Sequence, residues 1–482
     1  MSSSSASTRP HPSEATPTER AARLWQWDVA HLWHGFTQMR QYADQEPLII
    51  ERAEGCWLID VHHRRLLDGV ASMWCNVHGH RRAEIDEAIR AQLDHVAHST
   101  LLGAANVPAI ELARRLVQLA EPLSVDGPRL SHVYFSSDGS SAVEVALKMA
   151  FQYWQQRPER QGGPRPGKTK FLALADAYHG DTLGSVSVGG VAAFHEMFHP
   201  LLFPSLRAPQ PHCYRCPLGL QRSACRIDCL AALEAVLAEH HAEIAAVILE
   251  PLVQGAAGMI VAPEGYLRGV RQATRRYDVL LIADEVAVGM GRTGRMFASE
   301  HEQVAPDLLC LGKGLTGGYL PLAATLAHDL IYEAFLGSAA EGRTFFHGHT
   351  YGGNPLAAAA ALATLDIFER EKTLEKIQPL IEQLGQWLRL FAVQPHVGHV
   401  RQCGLLAGIE LVRDRRTGQR FDAAEAVGTR VCRRARELGV LIRPLGDVIV
   451  LMPPLAISAE ELDLLCRVVQ RSIADVTEPP AR

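Results

Sequence analysis

At 482 residues, 47% of them hydrophobic, the chain is long enough for two or three domains and apolar enough for a large core. A net charge of -5 leaves no basic footprint for nucleic acid or an anionic membrane. No apolar run reaches the ~18 residues of a membrane span, so neither nucleic acid nor membrane is an expected partner.

The opening stretch MSSSSASTRPHPSEATPTER (1–20) is rich in Ser, Thr and Pro and lacks the apolar core of a signal peptide, so it reads as a disordered leader on a cytoplasmic protein. PLIIERAEGCWLIDVHHRRLLDG then alternates like an antiparallel meander, with turns at Glu54-Gly55 and His62-His63. Short, nearly continuous apolar runs follow: HVYFSS (132–137), KFLALAD (170–176), AAVILEP (245–251), VLLIADE (279–285) and DLLCLG (307–312). Between most of them lie stretches of helical period, such as SAVEVALKMAFQYW and PEGYLRGVRQATRRY. This alternation predicts an α/β fold, a parallel sheet sheathed by helices, with ligands at the carboxyl ends of its strands. After residue 352 the pattern changes to a long helix, NPLAAAAALATLDIFERE, and an α+β tail with strands GLLAGIELV and DVIVLMP, where a second, smaller domain begins.

Ten cysteines are scattered along the chain, and a protein of this size needs no disulfide staples, in keeping with a reducing compartment. One group differs: CYRCPLGLQRSACRIDC sets Cys213, Cys216, Cys225 and Cys229 in C-x2-C-x8-C-x3-C spacing. Four thiolates at these intervals suit a tetrahedral zinc site on a surface excursion; a loop of partly buried free thiols, with no metal, is the other and preferred reading.

Gly289, Gly291 and Gly294 fit the dinucleotide fingerprint G-x-G-x-x-G, and GKGLTG (312–317) fits it again. A dinucleotide turn places its first glycine at the strand end, whereas here the strand ends on Asp284 and Glu285 and no long apolar helix follows Gly294. A glycine-rich active-site loop is the better reading, and it leaves a strand that terminates in an acid. Lys313 in turn follows the next strand, between Gly312 and Gly314. Alone it would be a solvated loop lysine; paired with a strand-end Asp it becomes a candidate nucleophile toward an aldehyde. Pyridoxal phosphate chemistry needs that pair, a Lys to hold the aldehyde and an acid to keep the pyridine nitrogen protonated. In SSDGSSAVEVALKMA, Gly139, Ser140 and Ser141 open an apolar-periodic helix, either as a phosphate cradle or as an ordinary Ser N-cap. Tyr178, just beyond KFLALAD, offers a ring neighbour.

ADEVAVGMGRTG, GKGLTGGYLPLAA and FFHGHTYGGNPLA resemble the signature segments of the class III (subgroup II) aminotransferases, which belong to fold type I of the pyridoxal phosphate enzymes. HLWHGFTQM, MWCNVHGH, AHSTLLG, YHGDT and LIRPLGDVIVLMPP resemble the branch of that family that converts 8-amino-7-oxononanoate to 7,8-diaminononanoate for biotin. The likeness runs from about residue 30 to 475. It implies a large domain (96–352) with a mostly parallel seven-stranded sheet between helices, and a smaller α+β domain drawn from both termini (21–95 and 353–482). It also implies pyridoxal 5′-phosphate as cofactor, small-molecule substrates, and a homodimer with shared active sites.

By the same resemblance Lys313 holds the cofactor aldehyde, Asp284 partners the pyridine nitrogen, and Gly139 and Ser140 hold the phosphate, with His349 and Thr350 reaching it from the other subunit. Tyr178 lies near ring and substrate, Trp74 and Gly348 line the substrate channel, and Arg443 binds the acceptor carboxylate; read without the resemblance, Arg443 is a rim salt-bridge residue. Two departures stand out. The family's Thr-Gly-Phe-Gly is here Val288-Gly289-Met290-Gly291, and Phe36, Met73 and Val450 occupy positions where members using S-adenosylmethionine commonly carry Tyr, Trp and Tyr. The amino donor is therefore S-adenosylmethionine or L-lysine. The alternatives are a general ω-amino acid transaminase using pyruvate or 2-oxoglutarate, and an aminomutase.

Overall fold

The computed structural model describes residues 17–124 and 129–478. Residues 1–16 of the expected leader lie outside the described residues, while 17–20 form the first turn of helix α1 (Pro17–His31). The meander is present as β1 (Ile50–Glu54), β2 (Trp57–Asp60) and β3 (Arg65–Asp68). Helices α2 (Ala83–Leu93) and α3 (Val107–Ala120) lead from it to the main sheet.

That sheet has seven strands: β4 (Leu130–Ser136), β5 (Lys170–Leu174), β6 (Leu206–Ala208), β7 (Ile244–Leu249), β8 (Leu280–Asp284), β9 (Leu308–Leu311) and β10 (Ala323–His328). Their order is β4-β10-β9-β8-β7-β5-β6. All neighbours run parallel except β10, which is antiparallel to both β9 and β4. The sheet is thus mixed rather than purely parallel. β6 and β10 have no counterpart among the apolar runs picked out above, because β6 is three residues long and AATLAH suits a buried helix as well as a strand.

The continuous apolar runs arise because both faces of the sheet are covered. Phe171, Ala173, Ile248 and Ile282 pack with Ala142, Ala146, Ala150 and Trp154 of α4 (Gly139–Gln156). The alternate residues Leu172, Leu174, Val247 and Leu281 pack on the other side, against Leu233 and Leu237 of α5 (Asp228–His240) and Val270 and Ala273 of α6 (Tyr266–Arg276).

Beyond the sheet, α7 (Pro355–Arg370) opens with Asn354, whose side chain accepts from Ala357 N, and its alanine-rich face packs on α2 and α3. Five more strands form the C-terminal sheet or join the meander: β11 (Val397–Cys403), β12 (Leu406–Leu411), β13 (Val440–Leu441), β14 (Arg443–Leu445) and β15 (Val448–Leu451), the C-terminal sheet running in the order β11-β12-β15-β14. β13 instead runs parallel to β3, so chain from both ends of the sequence meets in one small sheet. Helix α8 (Ala459–Thr477) starts in a capping box between Ser458 and Glu461. Among the described residues no helix is long and apolar enough to cross a membrane.

Trp154 is 1% exposed and its Nε1 donates to the Ala245 carbonyl at 2.8 Å. Trp154→Ala removes a large core side chain and its hydrogen bond to that carbonyl, with an expected loss of about 3–5 kcal/mol; a lower denaturant midpoint at unchanged slope checks it.

Candidate active site

The carboxyl ends of β4, β5, β7, β8 and β9 converge on a cavity of about 490 Å³. Each contributes what its strand end carries: Asp138, Gly139 and Ser140 after β4, Tyr178 to Thr182 after β5, Glu250 after β7, Asp284 at the end of β8, and Lys313 after β9. Lys313, Asp284, Tyr178, Gly139 and Ser140 are therefore brought together although they span 175 positions, from 139 to 313 by subtraction with both ends counted.

Asp284 is 4% exposed, and His179 Nδ1 stands 2.7 Å from its Oδ2, while its Oδ1 accepts from Val286 N at 3.1 Å. Among the described residues the other ring nitrogen of His179, buried, has no hydrogen-bond partner. Lys313 has a left-handed backbone, φ +39°, a strained conformation for a side chain of this size that aims it from the strand end into the crevice. Burial pushes its ammonium below the ordinary lysine value, against the opposing pull of Asp284 and Glu250, so the neutral amine is more accessible. Its Nζ lies 5.5 Å from the centre of the Trp74 ring.

At the other end of the cavity, Asp138 rather than a serine caps α4, its side chain accepting from Ser141 N at 2.9 Å. That leaves the leading Gly139-Ser140 turn, at the positive end of the helix, to face the cavity. A Cβ on Gly139 would stand 2.5 Å from Val286 Cγ1, so only glycine lets the helix approach β8 this closely. Gly180, at φ +117°, lies flat on Ser140 for the same reason: a Cβ would meet Ser140 Cα at 2.8 Å. Ser140 Oγ is 2.8 Å from Thr182 Oγ1, which donates to Glu144 at 2.6 Å. Tyr178 donates its hydroxyl to Asp181 at 2.7 Å, and burial followed by this bond pushes its phenol up.

Of the other residues singled out in the sequence, Trp74 lines the cavity and the rest lie outside it. Trp74 lines the cavity from a turn in which Ala71, Ser72 and Trp74 all have positive φ, held by Asp68 accepting from Ser72 N at 2.7 Å. Met73, in that turn, is 49% exposed. Phe36 is exposed and meets Phe194 edge-on at 5.2 Å; Phe194 in turn meets Tyr178 at 6.2 Å. Val450 is buried in an apolar cluster that Trp74 packs against. Arg443 is exposed and opposes Val450 across β14 and β15, so both leave the same face of that sheet. Gly348, His349 and Thr350 do not line the cavity of their own chain; they sit on an outer segment where Gly348 and Thr350 are exposed and His349 Nε2 is 3.0 Å from His347 Nε2. The sequence reading passed over His179, Asp138 and Glu250. Their one signal is position, two at the ends of apolar strands and one a residue beyond Tyr178.

A sheet that delivers a lysine and a carboxylate to the mouth of one helix is the ground plan of a pyridoxal phosphate aminotransferase, and residues 39–473 match the family Aminotransferase class-III. The chain belongs to that family. It is 53% identical over 455 residues, 94% of this chain and 98% of the other, to the adenosylmethionine-8-amino-7-oxononanoate aminotransferase of Geobacter sulfurreducens. The crystal structure of the enzyme of that name from Methanocaldococcus jannaschii is similar at 45% identity and a TM-score of 0.87, covering 94% of this chain and 99% of that one. An omega transaminase from Pseudomonas jessenii, in complex with PMP, is similar at 32% identity and a TM-score of 0.87, covering 94% and 98%. The family's cofactor is pyridoxal 5′-phosphate, and it is the cofactor of this chain. The donor set fits it: an amine with its proton loosened, a buried carboxylate anchored by one histidine, and a helix N-terminus cleared of side chain at Gly139.

Glu250 accepts from Gly255 N at 2.9 Å, and burial, reinforced by Asp284, pushes its carboxyl up to about 7. A raised carboxyl contributes stability that is complete below about 4.5 and is lost as pH rises through 7. Glu250→Gln should therefore gain on the wild type between pH 5 and 8, by about 1.4 kcal/mol per unit of upward shift. Paired melts across that range measure the difference.

Proposed function

We propose that this aminotransferase transfers an amino group to 8-amino-7-oxononanoate, giving 7,8-diaminononanoate for biotin synthesis. One observation carries the reading: relatives named for that reaction match 94% and 95% of the chain at 53% and 55% identity. Rescue of a biotin-requiring strain blocked at this amination, with conversion of the keto acid by the pure protein, tests it.

When bound, pyridoxal phosphate supplies an aldehyde and an electron-accepting protonated ring. Lys313 would hold that aldehyde, and its Nζ would be the group that takes a proton from the donor's reacting carbon and gives one to the acceptor's. Asp284 presents its charge to the ring nitrogen and is kept in place by His179. The Gly139-Ser140 turn receives the phosphate, and Tyr178 and Trp74 wall the substrate side. Lys313→Ala should retain cofactor yet lose turnover by at least a thousandfold, of the order expected when a proton-transferring nucleophile is removed. Cofactor retention after gel filtration and the steady-state rate together check it.

A second copy of the chain completes the site in this reading. Leu102, Phe346, Val107 and Tyr351 are 89%, 84%, 66% and 62% exposed. The segments that carry them are tied together by Asn106 Nδ2 donating to Gly353 O at 3.0 Å and Asn354 Nδ2 donating to Ala97 O at 3.1 Å. An apolar face of this kind is what a homodimer buries, and Gly348, His349 and Thr350 lie on it, placed to reach the partner's phosphate. Arg443 takes the acceptor carboxylate at the entrance. Arg443→Ala is expected to weaken acceptor use by about 2 to 4 kcal/mol, the cost of a lost charge-assisted pair. The donor half-reaction should change far less, as single-turnover kinetics on each half will show.

S-adenosylmethionine, named in the relatives, is the amino donor of the first reading. L-lysine is the second, favoured by Phe36, Met73 and Val450, which leave one ring without a hydroxyl and two aliphatic side chains where a cationic nucleoside would stack. Each donor mixed alone with the enzyme, without acceptor, distinguishes them by which converts the bound cofactor to its amine form.

A further inference from the structure

Among the described residues no group of ligating side chains, Cys213, Cys216, Cys225 and Cys229 included, could hold a metal ion, and burial pushes the Cys229 thiol up to about 11, away from a thiolate. A different cluster lies on α4. Glu144, Lys148, Gln152 and Gln156 stand four apart on that helix and so form one row along it. Glu144 turns toward the phosphate end, where it accepts from Gly184 N at 2.7 Å and from Thr182 Oγ1 at 2.6 Å. The other three hold the outer segment 343–349. Gln152 Nε2 donates to Thr344 O at 3.1 Å, Gln156 Nε2 to Arg343 O at 3.4 Å, and Lys148 Nζ to His347 Nδ1 at 3.0 Å. From β4, Tyr134 donates its hydroxyl to His347 O at 2.7 Å. The segment is therefore seated on the same helix whose first turn faces the cavity.

An ammonium has protons to give and no lone pair to accept with, so the His347 Nδ1 that meets Lys148 is the bare nitrogen of its ring. Burial keeps that ring below the ordinary histidine value, with Lys148 and His349 acting the same way and Glu144 opposing, so it is neutral at pH 7 and its proton sits on Nε2. His347 Nε2 stands 3.0 Å from His349 Nε2 and donates to it. The same reasoning then applies one ring further on. His349 accepts at Nε2 and carries its own proton on Nδ1. One lysine thus fixes the tautomer of two histidines in series and leaves the second with a donor at its other ring nitrogen.

We propose that Lys148 and His347 are positioning residues for the second active site of the dimer: together they fix His349 as a hydrogen-bond donor to the partner's cofactor phosphate. The inference rests on the homodimer proposed above, in which His349 and Thr350 reach that phosphate. Phosphate oxygens are strong acceptors, so the tautomer with its proton on Nδ1 bonds them through that nitrogen and the other tautomer turns a lone pair against them. Without the relay His349 is free to adopt either form. The helix then serves two sites. Its first turn receives the phosphate of its own chain, and Lys148, roughly two and a half turns further on, orients the group that reaches the other.

Titration of the cofactor-free full-length protein with pyridoxal 5′-phosphate, beside sedimentation of the same samples, follows affinity and dimer separately. Lys148→Met, His347→Ala and His349→Ala are each expected to weaken cofactor binding about tenfold, the effect of losing or misaligning a hydrogen bond to a charged group, and to sediment as dimers. Lys148→Arg, which still donates to Nδ1, and His347→Gln, which still accepts and donates, should recover most of the affinity. The phosphorus resonance of the bound cofactor should move alike in Lys148→Met and His349→Ala, since both lose the same contact. The deciding comparison is the double variant: Lys148→Met added to His349→Ala should cost nothing further. A full effect of Lys148→Met in that background, unchanged affinity in Lys148→Met and His347→Ala where His349→Ala is weakened, or variants that sediment as monomers would each overturn the proposal. Unaltered affinity in His349→Ala, or a wild-type monomer that holds cofactor, would instead remove the homodimer reading and the proposal with it.

Discussion

Asp284 ends β8 with its carboxylate almost wholly out of water, and a charge so placed costs several kcal/mol unless it is met by partners. His179 meets one oxygen at 2.7 Å and the Val286 amide meets the other. His179 comes from the turn after β5, which only the assembled sheet brings near, whereas the Val286 amide lies two residues along the chain. Burial lowers Lys313 and raises Glu250, while the same carboxylate pulls Lys313 back up and pushes Glu250 further up. An amine that gives up its proton more readily next to an anchored anion is the asymmetry that transamination requires.

Close packing supplies the rest. Gly139 and Gly180 remove the side chains that would hold α4 and the β5 turn away from β8, and Asp138 holds the first turn of the helix open toward the cavity. Facing them, the turn at Ala71–Trp74 carries three positive-φ residues and brings an indole to within 5.5 Å of the lysine amine. Such strain is of order 1–3 kcal/mol per residue and persists only where surrounding contacts override it. Here Asp68 does so, accepting from Val70 N, Ser72 N and Ser72 Oγ and standing 3.1 Å from His80 Nε2.

Much of this was legible along the chain. Four of the five apolar runs are strands with residues on both faces buried, which erases polar alternation and leaves a signal of length and flanking turns. Asp284 and Lys313 were legible as acid and amine at strand ends. β10 was not: its antiparallel course beside β9 and β4 depends on pairing partners distant in sequence, and an Ala-rich hexamer has no period of its own. An ordinary Ser N-cap was one of two readings of the start of α4, because Ser140 and Ser141 crowd it, but Asp138 has the extended backbone and the acceptor.

The sequence by itself determined the class of the sheet, the strand ends that carry chemistry, and the glycines without which no close approach is possible, since these follow from local periodicity and the size of single side chains. Tertiary structure decided which groups meet. His179 became the anchor of Asp284, Glu250 became a buried acid, Val450 went under Trp74, and Arg443 remained outside the cavity of its own chain. A side chain's partner is set by the register and topology of elements far apart in the chain, and no local pattern encodes that distance.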